Sequence, residues 1–539
     1  MNVAHFLPER AREAPDRVSI YFATADHHYI AYTYKQLEDL SNSYAHGISQ
    51  LGVKKGHRIV LMIRPGIDFV ATTFALMKLG VVVVLIDPGI GQQFLSACIK
   101  NVAPDGFFGV PKAHLLRVVS PSSFITSQFN IVVGPGWFLF LKTLTSLKEK
   151  KNQPLLENTE NSDPAAIIFT TGSTGLPKGV VYEHGMFLNQ IKILQEHYKI
   201  VPAEVDMPTF PLFALFSVAM GTTCVIPHMD PTKPAAVNPE NIIRPILDKK
   251  VTYCFGSPAL WNRVSKFCVD ENIELPSIRR ILIAGAPVQP TLLERFTKIL
   301  NKEARVFTPY GATEALPVTS IDHKEILSDT AKLTQNGKGI CVGRPFEDVQ
   351  VKIIKITDSE IAHWREEFPL TTNQIGEICV KGPHVTKEYF QNLTGTALAK
   401  IKDGQGFWHR MGDVGYLDNT HRLWFCGRKA HRVITVEGHT LFSIPCESIF
   451  NQHQEVFRSA LVGVRGVPII VIEPKNKNLL KNTTHLSKLK SELLNLGSSN
   501  SLTAHIKKIL FHPSFPVDIR HNAKINREKL ALWAQGELS

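Results

Sequence analysis

Residues 170–179 read Thr170-Thr171-Gly172-Ser173-Thr174-Gly175-Leu176-Pro177-Lys178-Gly179, and this stretch decides the fold. It follows the apolar run at 165–169, which predicts a buried strand, and precedes a second apolar run and a helical pattern. Glycines let backbone N–H groups approach an anion, hydroxyls add donors, and the lysine adds a positive charge. Pro177 and Gly179 stand where a Walker A loop has its second glycine and its Ser or Thr. We therefore interpret the stretch as a phosphate-binding loop of another kind, with a flexible surface loop as the alternative.

Strands and helices alternate along the chain on both sides of this loop. Between residues 31 and 165, apolar strand runs such as 58–63 and 81–86 are separated by segments with helical spacing. The alternation continues over 160–340 and predicts an α/β fold with doubly wound, mostly parallel sheets. Residues 341–427 alternate with period two instead, which predicts a small antiparallel sheet or barrel. After Arg428 the pattern predicts a small α+β domain, so we expect domain boundaries at 1–428 and 429–539.

Length and composition are those of a folded, multidomain protein. The 539 residues exceed one compact core, and 44% hydrophobic with 20% charged residues are typical of globular chains. The eight cysteines have no CxxC or CxxH spacing, so we expect reduced core residues in a cytoplasmic protein. The apolar segment 129–147 is interrupted by Gly134-Pro135-Gly136. It predicts a buried strand, turn and helix, with a shallow membrane contact as the alternative.

Positive charge is concentrated towards the C-terminus. The chain has a net charge of +12, and residues 430–539 hold 14 Lys and Arg against 8 Asp and Glu. No motif for reading RNA or DNA accompanies this excess. We therefore expect nucleotide phosphates, and no nucleic acid, as the partner of the basic residues.

A second motif is Tyr310-Gly311-Ala312-Thr313-Glu314. It combines an aromatic ring, a glycine turn, a hydroxyl and a carboxylate. In a nucleotide site the ring can stack on adenine and the hydroxyl can contact a phosphate. The carboxylate can bind Mg²⁺, because hard cations prefer oxygen ligands.

Four motifs in this order resemble those of the adenylate-forming ligases, which include acyl-CoA synthetases, peptide-synthetase adenylation domains and luciferases. Residues 170–179 match the pattern T-[ST]-G-[ST]-T-G-x-P-K-G throughout, and residues 310–314 match Y-G-x-T-E. The third motif is Gly412-Asp413 followed by Gly427-Arg428, and the fourth ends at Lys524, where Ala523 replaces the usual glycine. The resemblance covers essentially the whole chain. It implies a large N-terminal adenylation domain with a small β-barrel-like subdomain, and a small mobile C-terminal domain.

The resemblance also implies a role for each motif. ATP and Mg²⁺ are the expected cofactors, and a small-molecule carboxylic acid is the expected substrate. Glu314 is the implied metal ligand, and Lys178, Lys524 and Glu314 are the implied catalytic residues. Asp413 would accept the ribose hydroxyls, which suits a carboxylate because it is an acceptor only. The implied ATP- and AMP-binding residues are Thr170, Thr171, Gly172, Ser173, Thr174, Gly175, Lys178, Gly285, Ala286, Pro287, Tyr310, Gly311, Ala312, Thr313, Asp413 and Arg428.

Several positions depart from the pattern of CoA ligases. Ala430 occupies the place of a polar hinge residue, Ala214 stands where a histidine is common, and the spacing from Gly438 to Pro445 is longer than in those enzymes. These passages resemble the branch of the family that forms β-lactones in bacterial olefin biosynthesis. The resemblance implies a long-chain 2-alkyl-3-hydroxy acid, whose own hydroxyl closes the ring, so that CoA is not required. For such an enzyme, a shallow membrane contact or assembly with other enzymes of lipid metabolism is a further expectation.

Other functions stay open at this point. A fatty acyl-CoA ligase, or a stand-alone peptide-synthetase-type adenylation enzyme, would transfer the acyl group to CoA or a carrier protein. Ala430 and Ala523 also leave open a catalytically inactive binding protein. A serine hydrolase is not indicated, since the sequence has no G-x-S-x-G motif. His184 and His431 are candidate general bases for ring closure, but no motif assigns either of them.

Overall fold

The computed structural model describes residues 1–25, 28–135, 138, 140–149, 153–170, 177–517 and 525–538. The strands are β1 Val18–Ala25, β2 His28–Thr33, β3 Arg58–Met62, β4 Val82–Leu85, β5 Gly106–Gly109, β6 Phe129–Val132, β7 Lys142–Thr143, β8 Pro164–Thr170, β9 Lys178–Glu183, β10 Val205–Pro208, β11 Thr223–Ile226, β12 Tyr253–Gly256, β13 Arg280–Ile283, β14 Arg305–Phe307, β15 Tyr310–Ala312, β16 Ala315–Ser320, β17 Ile340–Pro345, β18 Gln350–Ile354, β19 Gly376–Lys381, β20 Lys400–Asp403, β21 Gly406–Leu417, β22 Leu423–Arg428, β23 Val433–Ile434, β24 Thr440–Leu441, β25 Val456–Val464, β26 Val467–Pro474 and β27 Lys508–Phe511. The helices are α1 Phe6–Glu13, α2 Tyr34–Gln50, α3 Ile67–Lys78, α4 Gln92–Val102, α5 Leu115–Val119, α6 His184–Tyr198, α7 Phe213–Ala219, α8 Glu240–Asp248, α9 Pro258–Asp270, α10 Pro290–Ile299, α11 His323–Glu325, α12 Ala331–Gln335, α13 Leu393–Ala399, α14 Ser443–Phe450, α15 Thr483–Ser498 and α16 Arg527–Leu538.

Two mixed sheets form most of the N-terminal part. Within the described residues the first sheet has the strand order β14-β13-β12-β10-β11-β1-β2, and the second has β7-β6-β5-β3-β4-β8-β9. Neighbouring strands are parallel except at one edge of each sheet, where β1 and β2, and β8 and β9, are antiparallel. The predicted doubly wound α/β architecture is confirmed.

The helices between these two sheets are fixed by local signals and by packing. Thr33 begins α2 with a capping box, in which its hydroxyl accepts the Gln36 N–H at 3.2 Å and the Gln36 side chain accepts the Thr33 N–H at 2.8 Å. Tyr34 and Tyr44 on α2 and Phe74 on α3 are buried in the large core shared with the sheets. Burial on both sides explains why the strands of the second sheet read as continuous apolar runs.

The third sheet is antiparallel, as the period-two pattern predicts. Its order within the described residues is β15-β16-β17-β22-β21-β19-β18, with β20 paired to β21. In β18, Val351 and Ile353 are buried while Lys352 between them is exposed. The sheet begins with β15, at Tyr310, so residues 310–314 form its first strand and the turn that follows.

The C-terminal part is a compact α+β unit. Strands β25, β26 and β27 form one sheet. Leu489 and Leu493 of α15 are buried with one face of this sheet, and Leu530 of α16 is buried with the other. The apolar runs at 460–464 and 469–472 lie within β25 and β26, as a small α+β domain requires.

The prediction for the apolar segment 129–147 is only partly confirmed. Strand β6 is present and ends in buried residues, but β7 and a 3-10 turn at Leu144–Leu147 take the place of the expected helix. Strand β7 pairs in parallel with β6, and the Thr143 hydroxyl accepts the Ser146 N–H at 3.2 Å, which favours extended chain followed by a tight turn. Gly136 lies outside the described residues.

Two further expectations concern the cysteines and membrane insertion. All eight cysteines are buried and free. In the part of the chain that the structure describes, no helix is both long and apolar enough to cross a membrane.

Candidate active site

The motifs predicted from the sequence meet in one cleft of about 3010 Å³, which is also lined by α14 of the C-terminal part. The motif residues that line this cleft are Thr170, Lys178, Gly285, Ala286, Pro287, Tyr310, Gly311, Ala312, Thr313, Glu314, Asp413 and Arg428. Thr171, Gly172, Ser173, Thr174, Gly175 and Lys524 lie outside the described residues. The cleft therefore contains most of the predicted nucleotide-binding residues.

The two residues that flank the glycine-rich loop lie side by side in the second sheet. Thr170 is the last residue of β8, Lys178 is the first of β9, and the two are opposite each other in the antiparallel ladder. Strand β8 also pairs in parallel with β4, so its end lies at the carboxyl edge of the parallel strands. That edge is where open α/β sheets bind ligands.

Asp413 is held by a phenol and a guanidinium. It lies opposite Arg428 in the β21–β22 ladder, and Arg428 Nη1 is 2.9 Å from Asp413 Oδ1. The Tyr310 hydroxyl donates to Asp413 Oδ2 at 2.6 Å. Burial raises the pKa of Tyr310 well above its ordinary value, and the Asp413 charge raises the pKa of Arg428. At neutral pH the tyrosine is therefore a hydrogen-bond donor and the arginine is charged, so both favour the ionised aspartate.

Glu314 is positioned by the segment that follows β19. Thr313 and Glu314 form the tight turn between β15 and β16. Thr386 donates to the Glu314 carbonyl oxygen from its N–H at 2.9 Å and from its hydroxyl at 3.0 Å. The Tyr389 hydroxyl donates to Glu314 Oε1 at 2.7 Å, and Lys178 Nζ lies 4.7 Å from the centre of the Tyr389 ring. Tyr389 thus connects the carboxylate with the lysine of the glycine-rich loop.

Two positions of the predicted motifs require glycine for steric reasons. Gly285, just after β13, has φ of +96°, a conformation that other residues rarely adopt. A Cβ atom on Gly311 would lie 2.6 Å from the Ala315 carbonyl oxygen, so the hairpin that carries Glu314 leaves no room for a side chain there.

A second part of the cleft is aromatic. The Phe213 ring lies 4.2 Å from Phe255 and 5.8 Å from Phe216, and Phe187 stacks on Tyr182 at 4.8 Å. All five line the cleft. This wall is apolar and lies in the same cleft as the polar groups described above. It can therefore hold an alkyl chain beside the predicted nucleotide-binding residues.

The two candidate histidine bases differ in their surroundings. His184 is fully buried outside the cleft lining, its Nδ1 accepts the Val3 N–H at 3.1 Å, and burial lowers its pKa to about 4. It is a structural residue. His431 does line the cleft, with its Nε2 3.4 Å from Glu528 Oε1, and burial lowers its pKa to about 4 as well. It is therefore neutral at pH 7.

The segment after Arg428 is anchored on the third sheet. Lys429 Nζ lies 3.0 Å from Glu377 Oε1, and Arg410 Nη2 lies 2.7 Å from Glu377 Oε2. Glu377 is fully buried, and the two cations compensate its charge. Ala430, next in the chain, is exposed.

Sequence reasoning missed Thr386, Tyr389 and Lys400. Thr386 and Tyr389 hold Glu314, and the ammonium of Lys400 donates to the Thr386 carbonyl oxygen. These residues lie in an ordinary polar stretch, and their contacts with Glu314 are made across more than 70 positions of the chain. The one available signal is the aromatic pair Tyr389-Phe390 between polar residues, which does not by itself indicate a function.

Comparison with known proteins identifies the relatives of this chain. It is 42% identical to the olefin beta-lactone synthetase of Stenotrophomonas maltophilia, with 100% of this chain and 98% of that protein covered. It is 40% identical to the olefin beta-lactone synthetase of Xanthomonas campestris, with 99% and 97% covered. The fold matches O-succinylbenzoate coenzyme A synthetase from Bacillus subtilis, solved with ATP and a magnesium ion, at a TM-score of 0.75, 21% identity and coverage of 97% and 98%. The model of the family described as AMP-binding enzyme matches residues 7–390, and the chain belongs to this family.

Proposed function

We propose that this enzyme activates a long-chain 2-alkyl-3-hydroxy fatty acid as its acyl-adenylate and then closes the acid to a β-lactone. The observation that carries the proposal is the identity of 42% and 40% to two olefin beta-lactone synthetases over nearly their whole lengths. A CoA ligase or a peptide-synthetase-type adenylation enzyme would share the first half of this reaction but not the second.

The nucleotide end of the cleft supplies the groups that the first half-reaction needs. Asp413 accepts the ribose hydroxyls of ATP, and Arg428 and Tyr310 keep it ionised and oriented. The phosphates contact the glycine-rich loop, through Thr170, Thr171, Gly172, Ser173, Thr174, Gly175 and Lys178. The loop of Gly285, Ala286 and Pro287 and the Tyr310 ring enclose the adenine.

Enzymes of the AMP-binding family use ATP with Mg²⁺. Glu314 fits such an ion, because Mg²⁺ in nucleotide sites is bound through one or two carboxylates together with substrate phosphates. When bound, the ion neutralises phosphate charge in the transition state. Tyr389 orients the carboxylate from its other side, which is the usual arrangement behind a metal ligand.

In the first step an oxygen of the substrate carboxylate attacks the α-phosphorus, the bond to the β-phosphate oxygen breaks, and pyrophosphate leaves. Lys178 and Lys524 meet the negative charge that spreads over the phosphate oxygens in the transition state. The product is an acyl-adenylate, whose AMP is a good leaving group. The aromatic wall of Phe187, Phe213 and Phe255 holds the alkyl chains.

In the second step the 3-hydroxyl oxygen attacks the acyl carbon, the bond to the AMP oxygen breaks, and the hydroxyl proton passes to water or to released AMP. The hydroxyl is tied to the acyl carbon by covalent bonds, so its effective concentration is very high and no CoA is required. The exposed Ala430 and the lengthened Gly438–Pro445 spacing support this, since they alter the segment with which a CoA ligase would bind its second substrate.

Free, buried cysteines support a cytoplasmic enzyme, because reducing compartments keep thiols unpaired. Association with other enzymes of lipid metabolism, and shallow contact with a membrane, are further parts of the proposal. Both would deliver a poorly soluble acid to the cleft.

The test is to incubate the enzyme with Mg-ATP and a 2-alkyl-3-hydroxy fatty acid, with and without CoA, and to identify products by mass spectrometry. We expect a product lighter than the acid by one water in both reactions, together with AMP and pyrophosphate. The matched control is the same acid without its 3-hydroxyl, which should release pyrophosphate but give no lactone. A thioester that forms only with CoA would overturn the proposal in favour of an acyl-CoA ligase. Absence of pyrophosphate release with every acid would favour a binding protein.

A further inference from the structure

We propose that an exposed apolar face formed by Phe94, Leu115, Val118, Val119 and Phe140 docks the enzyme onto an anionic lipid bilayer. We call these five residues the apolar face. The inference rests on the proposed function in one respect, namely that the substrate carries long alkyl chains.

The apolar face is unusually exposed for large hydrophobic side chains. The exposed fractions are 41% for Phe94, 51% for Leu115, 58% for Val118, 60% for Val119 and 100% for Phe140. Single exposed hydrophobics are common on soluble proteins, whereas a group of them on one surface marks an interaction site. Phe140 also has φ of +57°, a backbone conformation that a bulky residue seldom adopts. The chain therefore presents this ring to solvent in spite of local strain.

Contacts among neighbouring residues bring together the three segments that carry these side chains. Leu115, Val118 and Val119 lie on the short helix α5, and Phe94 lies in the first turn of α4. The Ser96 hydroxyl of α4 donates to the Ser120 hydroxyl just after α5 at 3.0 Å, which joins the two helices. His114, which precedes α5, stacks on Phe138 at 5.6 Å, and this brings the Phe140 segment to the same helix.

The apolar face adjoins the cleft. Leu95, the neighbour of Phe94, and Leu116, the neighbour of Leu115, both line the cleft. Leu95 is 4% exposed while Phe94 points outwards, so successive residues of α4 contact the cleft and the solvent. An alkyl chain that leaves a bilayer at this face would enter the cleft between α4 and α5 without crossing open water.

The charge around the apolar face suits an anionic bilayer. Residues 106–148 contain four Lys and Arg and no Asp or Glu. Lys112 precedes α5 and lines the cleft, Arg117 lies within α5, and Lys142 follows Phe140 by two positions. Apolar side chains that alternate along the chain with basic ones are typical of proteins that bind the surface of membranes with anionic headgroups. Since no described helix is able to span a bilayer, the contact is peripheral.

The experiment is flotation of the full-length enzyme with vesicles of phosphatidylcholine alone, or with about 30% phosphatidylglycerol, a composition with the negative surface charge that attracts basic proteins. We expect binding to the anionic vesicles that weakens at high salt. The double substitution Val118→Ser with Phe140→Ser should lower this binding by about tenfold or more, since each buried apolar side chain contributes to the partition. The matched control is the double substitution Leu393→Ser with Leu532→Ser. These two leucines are 86% and 71% exposed and lie outside the apolar face, so their replacement should leave binding unchanged.

Pyrophosphate release from a short, water-soluble acid without vesicles separates the two proposals. The variant with both Val118→Ser and Phe140→Ser should keep this activity. Retained activity also shows that the variant is folded. If the wild type ignores anionic vesicles, or the variant binds them as well as the wild type does, the docking proposal is overturned while the proposed function stands. Concentration-dependent dimerisation through this face without vesicle binding would likewise overturn it, in favour of a second copy of the chain. If no acid releases pyrophosphate but the vesicles still bind, the proposed function fails and the surface assignment remains.

Discussion

Replacing Lys400 by methionine tests whether this chain retains a buried amine at the expense of its stability. Lys400 begins β20 and is 8% exposed. Its ammonium donates to the Thr386 carbonyl oxygen and lies 5.1 Å from the centre of the Phe407 ring. Burial lowers the pKa of Lys400 to about 7, an effect that the Glu314 charge opposes.

The magnitude follows from the two pKa values. An unfolded lysine has a pKa of about 10.4, and each pKa unit corresponds to about 1.4 kcal/mol. A pKa of about 7 therefore means that the folded state with Lys400 protonated is about 5 kcal/mol less stable than it would be if the pKa of this lysine were unperturbed. Methionine has a similar length and removes this penalty, but it leaves the Thr386 carbonyl without its donor, which costs about 1–3 kcal/mol at every pH. Below pH 7 the variant should be more stable than the wild type by about 2–4 kcal/mol.

The sign of the pH dependence is set by proton binding. Between pH 7 and about 10.4 the unfolded lysine is protonated and the folded one is not, so the stability of the wild type rises with pH in this window. The methionine variant lacks this titration. The excess of its free energy of unfolding over that of the wild type should therefore be greatest below pH 7, and should shrink by about 3 kcal/mol between pH 6 and pH 9.

The assay is amide hydrogen exchange of peptides covering β20 and β21, measured at pH 6 and pH 9 after correction for intrinsic exchange rates, with urea unfolding at the same pH values. The matched control is Lys402→Met on the same strand, where the side chain is exposed. That variant should show no pH-dependent difference. The reasoning is refuted if Lys400→Met differs from the wild type by the same amount at both pH values, since the difference would then not come from a buried titrating amine.

Three further predictions concern the proposed site. Glu314→Gln should lower pyrophosphate release by about 10²-fold without unfolding the protein, because the amide keeps the shape but not the charge of a Mg²⁺ ligand; full activity at limiting Mg²⁺ would contradict this. Tyr389→Phe removes the hydroxyl that orients Glu314 and should weaken apparent Mg²⁺ affinity by about tenfold or more in a magnesium titration of ATP–pyrophosphate exchange, whereas an unchanged titration would assign Tyr389 to packing alone. Lys524→Ala should lower adenylate formation by about 10²-fold while ATP binding measured by calorimetry stays the same, and wild-type pyrophosphate release would exclude its catalytic role.

Much of the fold was predictable because its signals are local. The apolar run 165–169, the second apolar run after the glycine-rich loop and the helical pattern beyond are each indicated by neighbouring residues, and the structure has them as β8, β9 and α6. The period-two pattern around Val351 likewise predicted an antiparallel strand. The segment 129–147 was less predictable, because whether its second half becomes helix or strand depends on β6, with which β7 pairs.

The arrangement around Glu314 was not predictable for the same physical reason. The motif 310–314 indicated the carboxylate, but the groups that hold it are Thr386 and Tyr389, which reach it only after the third sheet has formed. Side-chain hydrogen bonds between residues so far apart leave no periodicity in the sequence. Lys400 is one step further removed in its hydrogen bonding, since its ammonium donates to Thr386 and interacts with Glu314 only through charge.

On the proposed assignment of the cleft, the second reaction can change while the residues for the first are kept. The proposed nucleotide end is built on backbone pairing, because Asp413 is the cross-strand partner of Arg428 and Thr170 is that of Lys178. Such pairs are fixed by strand register, so they persist as long as the sheets do. The proposed acyl end is lined by side chains of α6 and α7 together with Phe255 of β12, and the segment around Ala430 follows β22 without belonging to a described strand. Substitutions at those positions alter what the adenylate meets next, without moving the residues that form it. An intramolecular hydroxyl makes the smallest demand on that part of the protein, because the nucleophile arrives with the substrate.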